Sequence, residues 1–225
     1  MDFWGPTSLP SSQDNRYVLV ITDYLSKYVI AKAVPNNSAT TTAQFIVEEV
    51  ILKYGVPRKI ITDQGTHFKN ELMEKIALLM GFKHAFATTY HPQTNGQVER
   101  FNATFYPQLA KLHDDNLNNW DEYLPACIFA YNTGLHSTTG YSPFQLMFAR
   151  EPILPFDSPT STITLTKPND YWTQITQQMK VYRRNVKNNI IHQQQLSKQR
   201  YNQQRADPTY KPGDLVFIKQ TSKIW

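Results

Sequence analysis

Tyr54-Gly55-Val56-Pro57-Arg58-Lys59-Ile60-Ile61-Thr62-Asp63-Gln64-Gly65 is the stretch on which the reading of this chain turns. Tyr54-Gly55-Val56-Pro57 ends a helical pattern, and Lys59-Ile60-Ile61-Thr62 then reads as a short buried strand. Asp63 falls at the carboxyl end of that strand. In sheets flanked by helices this edge is where ligands and reacting groups collect, because the loops leaving the strands line a shared crevice.

Upstream, Ser38-Ala39-Thr40 starts a helix whose apolar residues Ala43, Ile46, Val47, Val50 and Ile51 recur at helical spacing. Before it, Arg16 to Thr22 and Tyr28 to Val34 are rich in β-branched residues and read as a hairpin, with Asp2-Phe3-Trp4 as the preceding strand. Downstream, Phe68 to Met80 reads as a helix stopped by Gly81, and Lys83 to Thr88 as a further strand. A strand–helix–strand alternation after an antiparallel hairpin predicts a mixed sheet with helices on both faces. From Gln97 onward Val98, Phe101, Phe105, Leu109 and Leu112 form one apolar stripe, with Glu99 at the edge of the buried face and Pro107 expected to bend the axis.

Trp120, Leu124, Cys127, Ile128 and Tyr131 pattern another helix, and Ser142-Pro143 supplies a cap and a first-turn proline for the next. Pro152, Pro155 and Pro159 mark a linker. A long polar helix is then expected from about Asp170 to Arg205, with a narrow seam of Trp172, Ile175, Met179, Tyr182, Val186 and Ile190 and with Lys180, Arg183, Arg184 and Lys187 beside it. His67, Asp114, Asp115, Asp121 and Glu122 read as surface residues, and Asp23 as structural.

The chain has 225 residues, enough for one sizeable core plus appendages. Cys127 is the only cysteine, which excludes an intrachain disulfide and a cysteine-based zinc knuckle. The start of the chain has neither the basic head nor the apolar run of a signal peptide, and no segment is apolar enough to suggest a membrane partner. The net charge of +5 is unevenly spread: residues 1–166 hold twelve basic and fifteen acidic side chains, residues 167–225 eleven basic and three acidic. A basic arm on a carboxylate-bearing core suits a protein that holds phosphates with its tail, although a solvated linker helix has the same composition.

Three acids carry the chemistry. Asp2 opens the chain, Asp63 follows the buried strand, and Glu99 comes after thirty-five intervening residues within Tyr90-His91-Pro92-Gln93-Thr94-Asn95-Gly96-Gln97-Val98-Glu99-Arg100. Three carboxylates without histidine or cysteine partners suit hard divalent cations such as Mg2+ or Mn2+, which prefer anionic oxygen. Two such ions about 4 Å apart can clamp the attacking and leaving oxygens of an in-line phosphoryl transfer.

On these motifs the chain resembles the integrase catalytic core of long-terminal-repeat retrotransposons, nearer the Ty3/gypsy branch, and of retroviruses. The likeness also takes in Asp2-Phe3-Trp4-Gly5-Pro6, Tyr131-Asn132-Thr133 and Tyr141-Ser142-Pro143-Phe144. It implies an RNase H-like α/β fold with a mixed five-stranded sheet flanked by helices, over residues 1–156. A linker and long basic helix at 157–206 and the first strand of a truncated SH3-like β-barrel at 207–225 would follow. The family's amino-terminal zinc module has no counterpart here.

The resemblance implies Asp2, Asp63 and Glu99 as catalytic metal ligands for two Mg2+ or Mn2+ ions, with no nucleotide cofactor. The implied reactions are trimming of DNA 3′ ends and their joining to target DNA by direct transesterification. Tyr90, His91 and Asn95 would contact the element's DNA ends, and Arg100 would touch phosphate or pair with Glu99. The implied partners are element-end and target DNA and further copies of the chain; the substrate implies the nucleus. Two other readings are an RNase H-like hydrolytic nuclease and a degenerate or co-opted copy that binds DNA without cutting it.

Overall fold

The computed structural model describes residues 1–87, 101, 105, 107, 109, 118–154, 157 and 168–203. β1 (Asp2–Trp4), β2 (Tyr17–Thr22) and β3 (Val29–Val34) form an antiparallel sheet in that order, with Asp2 opposite Val20 and Thr22 opposite Val29. β4 (Lys59–Thr62) and β5 (Lys83–Phe86) pair in parallel, Lys59 opposite Lys83. The expected single five-stranded sheet therefore appears among the described residues as three strands and two. The Met1 nitrogen donates to the Ile61 carbonyl at 2.8 Å, bringing the start of β1 to β4. β1 is only three residues long, so it has little backbone to offer a second neighbour.

β2 shows why helices must cover both faces. Val18, Leu19 and Val20 are all fully buried. Successive side chains on a strand point to opposite faces, so one face alone cannot bury all three. Leu19 joins a core with Phe45, Ile46, Ile60, Phe68 and Met73, whereas Val18 and Val20 join another with Phe101, Phe105, Leu109 and Leu124. Phe101, Phe105 and Leu109 are helical and at most 2 % exposed, as the apolar stripe predicts, and Pro107 is helical and exposed.

Local chemistry sets the helix ends. α1 (Ala39–Phe45) is capped by Ser38, whose side chain accepts from the Thr41 N–H, and continues as a π-helical stretch (Ile46–Ile51) into α2 (Leu52–Tyr54). α3 spans Glu71–Met80 and ends at Gly81, which is left-handed at φ 80°. It begins three residues later than Phe68 because Asn70 accepts from the Met73 N–H at 3.0 Å and takes the capping position. α4 (Trp120–Thr133) and α5 (Pro143–Phe148, capped by Ser142) follow.

The long helix is α6 (Pro168–Asn202). Its seam docks on the turn before α5: Val186 is fully buried, the Asn189 amide donates to the Thr139 carbonyl at 2.7 Å and the Asn185 amide to the Tyr141 hydroxyl at 3.1 Å. Trp172, the first residue of the expected seam, is 68 % exposed and stands outside this docking. No helix among the described residues is long and apolar enough to cross a membrane. The expected barrel strand at 207–225 lies outside the described residues.

Candidate active site

Asp2 lies on β1 and Asp63 one residue past β4, on strands that the Met1–Ile61 bond holds side by side. Asp2 Oδ1 accepts from the Phe3 N–H at 2.9 Å, and Asp63 Oδ1 accepts from the Gly65 N–H at 2.9 Å. The Asp63 side chain is 48 % exposed, so its carboxylate stays open to solvent. The electrostatics tie the two acids together. Burial pushes the Met1 amino group down to about 6, and the negative charges of both Asp2 and Asp63 oppose that shift.

Aromatic packing fixes the two carriers of these acids to each other. Phe3, next to Asp2, lies at 5.5 Å from Phe68 in a stacked arrangement and meets the His67 ring edge-on at 4.9 Å. His67 Nε2 is 3.9 Å from Asp63 Oδ1. His67 is thus no surface residue: its side chain is 19 % exposed, and burial lowers its pKa against the pull of Asp63. A neutral imidazole leaves the Asp63 charge available to another cation. Gly65 makes this turn possible, since a Cβ there would stand 2.5 Å from the His67 ring.

Below the acid, Thr62 is fully buried and its hydroxyl donates to the Asp63 carbonyl at 2.8 Å. That commits the hydroxyl hydrogen, so the contact of 3.0 Å with His84 Nε2 on β5 needs the ring N–H as donor. Burial lowers the pKa of His84, in keeping with a neutral ring. Thr62 and His84 were not singled out by sequence; a buried threonine beside an acid at a strand end was the available signal.

Glu99, Arg100, Tyr90, His91 and Asn95 lie outside the described residues. Among the described residues no three His, Cys, Asp or Glu side chains gather into a metal-binding group. Asp23 is structural, as expected: its Oδ2 accepts from the Ser26 N–H at 2.8 Å and the Ser26 hydroxyl at 2.7 Å, closing the β2–β3 turn. Asp121, expected at the surface, is instead buried at 8 % exposure; its Oδ2 accepts from the Ser11 hydroxyl at 2.6 Å and the Asn15 amide at 2.8 Å.

An acid on a first strand, a second at the end of a neighbouring strand and helices on both faces define a mixed α/β core. Two family models, both described as integrase core domain, match residues 1–92 and 80–143. The chain belongs to the integrase core domain family, as carried by long-terminal-repeat retroelements. It is 29% identical over 222 residues to the retrovirus-related Pol polyprotein from transposon 412 of Drosophila melanogaster, covering 97% of this chain and 18% of that protein. Transposon Tf2 polyproteins of Schizosaccharomyces pombe are 28% identical over 225 residues, 98% of this chain and 16% of theirs. The chain thus spans less than a fifth of these curated relatives.

Among solved structures, a chain of the simian T-cell lymphotropic virus intasome in complex with PP2A regulatory subunit B56 gamma superposes with a TM-score of 0.56 at 22% identity, over 72% of this chain and 60% of that one. The catalytic core domain of BIV integrase superposes with a TM-score of 0.52 at 20% identity, over 66% of this chain and 92% of that one. At these identities the structures establish the fold.

Proposed function

We propose that this chain is the catalytic core of a retroelement integrase, which trims the 3′ ends of element DNA and joins them to target DNA by divalent-metal-dependent transesterification. The observation that carries the reading is that Asp2 on β1 and Asp63 just past β4 stand on strands that the bond from the Met1 nitrogen to the Ile61 carbonyl brings together. The reading takes Glu99 as the third ligand and the Met1–Ile61 bond as the place where β4 would join β1 in an RNase H-like five-stranded arrangement. The donor set fits Mg2+ or Mn2+: carboxylate oxygens, one of them half exposed, beside an imidazole that burial keeps neutral.

Asp2 and Asp63 would hold one ion, Asp2 and Glu99 the other. Bound metal lowers the pKa of the attacking water or 3′-hydroxyl and neutralises charge on the leaving oxygen. The protein's own part is orientation. Gly65 fixes one oxygen of Asp63, Thr62 holds its backbone carbonyl, and the Phe3–Phe68 stack keeps β1 in register with the Asp63 turn. Tyr90, His91, Asn95 and Arg100 would position the DNA end, and the basic α6 would hold phosphates. The chain would act on element and target DNA as a homo-oligomer in the nucleus. Its domains would run 1–156, 157–206 and 207–225.

A disintegration assay, the reversal of joining on a branched DNA, tests this with Mg2+ or Mn2+. Joining by the unmodified chain that Asp63→Asn and Glu99→Gln each reduce at least about 100-fold is the expected result. Mn2+-induced thermal stabilisation lost in Asp63→Asn gives a readout independent of turnover. Metal-dependent cleavage without joining would replace the reading by a hydrolytic nuclease, and DNA binding without metal response by a non-catalytic copy.

A further inference from the structure

The turn that carries Asp63 also carries a cation. The Gly65 N–H holds Asp63 Oδ1 at 2.9 Å, and the Gly65 carbonyl accepts from the Lys69 N–H at 2.7 Å. Lys69 is exposed, and its ammonium lies 5.8 Å from the centre of the Phe86 ring. Phe86 ends β5 and stands opposite Thr62, which ends β4. The Ala87 N–H carries the pairing one step further, onto the Thr62 carbonyl at 2.7 Å. The ammonium therefore stands at the carboxyl edge of both strands, the edge from which Asp63 leaves β4.

What holds this lysine leaves its charge available. Lys32, Lys53 and Lys75 each pair with a glutamate, whereas Lys69 forms no ion pair among the described residues. An aromatic face attracts a cation through its quadrupole but carries no net charge. Phe86 thus restrains the ammonium without neutralising it, and a restrained group loses less freedom when a ligand arrives. The ring is itself packed against His84, centroids 4.6 Å apart. The other lysines of this strand pair cannot take the same place. Lys59 and Lys83 stand opposite each other at its amino end, three rungs or about 10 Å from Thr62 and Phe86, and on the other face. A polyanion approaching two carboxylates meets like charge, and a cation held beside them offsets it.

We propose that Lys69 binds a backbone phosphate of the DNA that crosses the carboxyl edge of β4 and β5, with Phe86 as its positioning residue. The inference rests on the catalytic reading for the identity of the polyanion, and it adds a contact on the Asp63 turn itself. The phosphate belongs to the element end or to the target; the chemistry of the contact is the same for both.

Binding is measured apart from turnover, by titrating the full chain carrying Glu99→Gln with the branched joining DNA over a range of salt. Lys69→Gln should weaken binding about tenfold at low salt and reduce the slope of log affinity against log salt by about 0.9, the share of one phosphate contact. Lys69→Arg should keep both. Phe86→Leu should weaken binding a few-fold on its own and not at all in the Lys69→Gln chain, because the ring acts only through the lysine. Neutral methylphosphonates placed singly along the two arms identify the source. The position whose substitution weakens binding to the chain with Lys69, but not to Lys69→Gln, marks the phosphate in the element arm or the target arm. Unchanged affinity and slope in Lys69→Gln overturn the proposal, as does a loss that Lys69→Arg does not restore, or absence of DNA binding before Lys69 is replaced. Binding through Lys69 by a chain that fails the disintegration assay would instead remove the catalytic reading and keep the contact.

Discussion

Replacing Thr62 by valine tests whether the site is held from below. The side chain is fully buried and valine has nearly its shape, so the packing contribution changes little and the lost hydroxyl dominates. Two hydrogen bonds go, to the Asp63 carbonyl at 2.8 Å and to His84 Nε2 at 3.0 Å. At about 0.5–1.5 kcal/mol each, the sum is about 1–3 kcal/mol, with the upper end favoured because both former partners are partly or fully shielded from water. Urea unfolding should show a lower midpoint with an unchanged slope. A double-mutant cycle with His84→Ala should return a coupling of about 1 kcal/mol. Joining activity should fall about tenfold, since the Asp63 backbone is freed, while Mn2+ still stabilises the chain because the carboxylate remains. A loss below about 0.5 kcal/mol, or additive effects of the two substitutions, would refute the role given to the Thr62 hydroxyl.

Acid should weaken the fold in a defined window. The Met1 amino group titrates at about 6 when folded against 8.0 ordinarily, and burial also lowers His67 and His84. In each case the unfolded chain binds protons that the folded one resists, so stability rises with pH: the amine's share is lost as pH falls from 8 toward 6, and the histidines' share as it falls below their ordinary 6.5. The amine alone contributes on the order of 2 kcal/mol to that loss, measurable as a falling unfolding midpoint, and acetylation of Met1 should remove its share. Asn132→Ala leaves the Val29 N–H and carbonyl without their partner and should cost about 2 kcal/mol or more in chemical unfolding, because both bonds are buried.

What could be read from the chain beforehand was whatever local chemistry decides. Ser38, Ser142 with Pro143, and Gly81 mark helix ends because each satisfies or terminates groups within a turn of itself. Asp63 at a strand end was legible because four apolar or β-compatible residues lead into it. Phe68 was misread as helical because it is apolar at the right spacing, and only the competing Asn70 cap moves the start to Glu71. The π-helical stretch from Ile46 to Ile51 left no trace, since Ala43, Ile46, Val47, Val50 and Ile51 fit an α-helical face equally well. His67 and Asp121 were misplaced at the surface for a different reason. Their partners, Phe3 for one and Ser11 and Asn15 for the other, are distant in sequence, and no window of periodicity can see them.

The same distinction explains why the site depends on so few contacts. β1 is three residues long and pairs along its length with β2, but on its other side the Met1–Ile61 bond is what reaches β4, so its placement against the Asp63 turn does not come from a ladder of hydrogen bonds. It comes from side chains: Phe3 on Phe68 and His67 fixes β1 to the Asp63 turn, while Trp4 against Trp120, at 6.3 Å, anchors the other face of the strand to α4. Alternation along β1 assigns these roles, since Phe3 and Trp4 must point to opposite faces and Asp2 shares a face with Trp4. Each residue of the short strand then has one task, and none can be exchanged without changing a core or the acid. Holding the proposed metal-binding acid on so short a strand against the Asp63 turn and α4 therefore falls to large aromatic neighbours on both faces, and Asp2-Phe3-Trp4 supplies them in three consecutive residues.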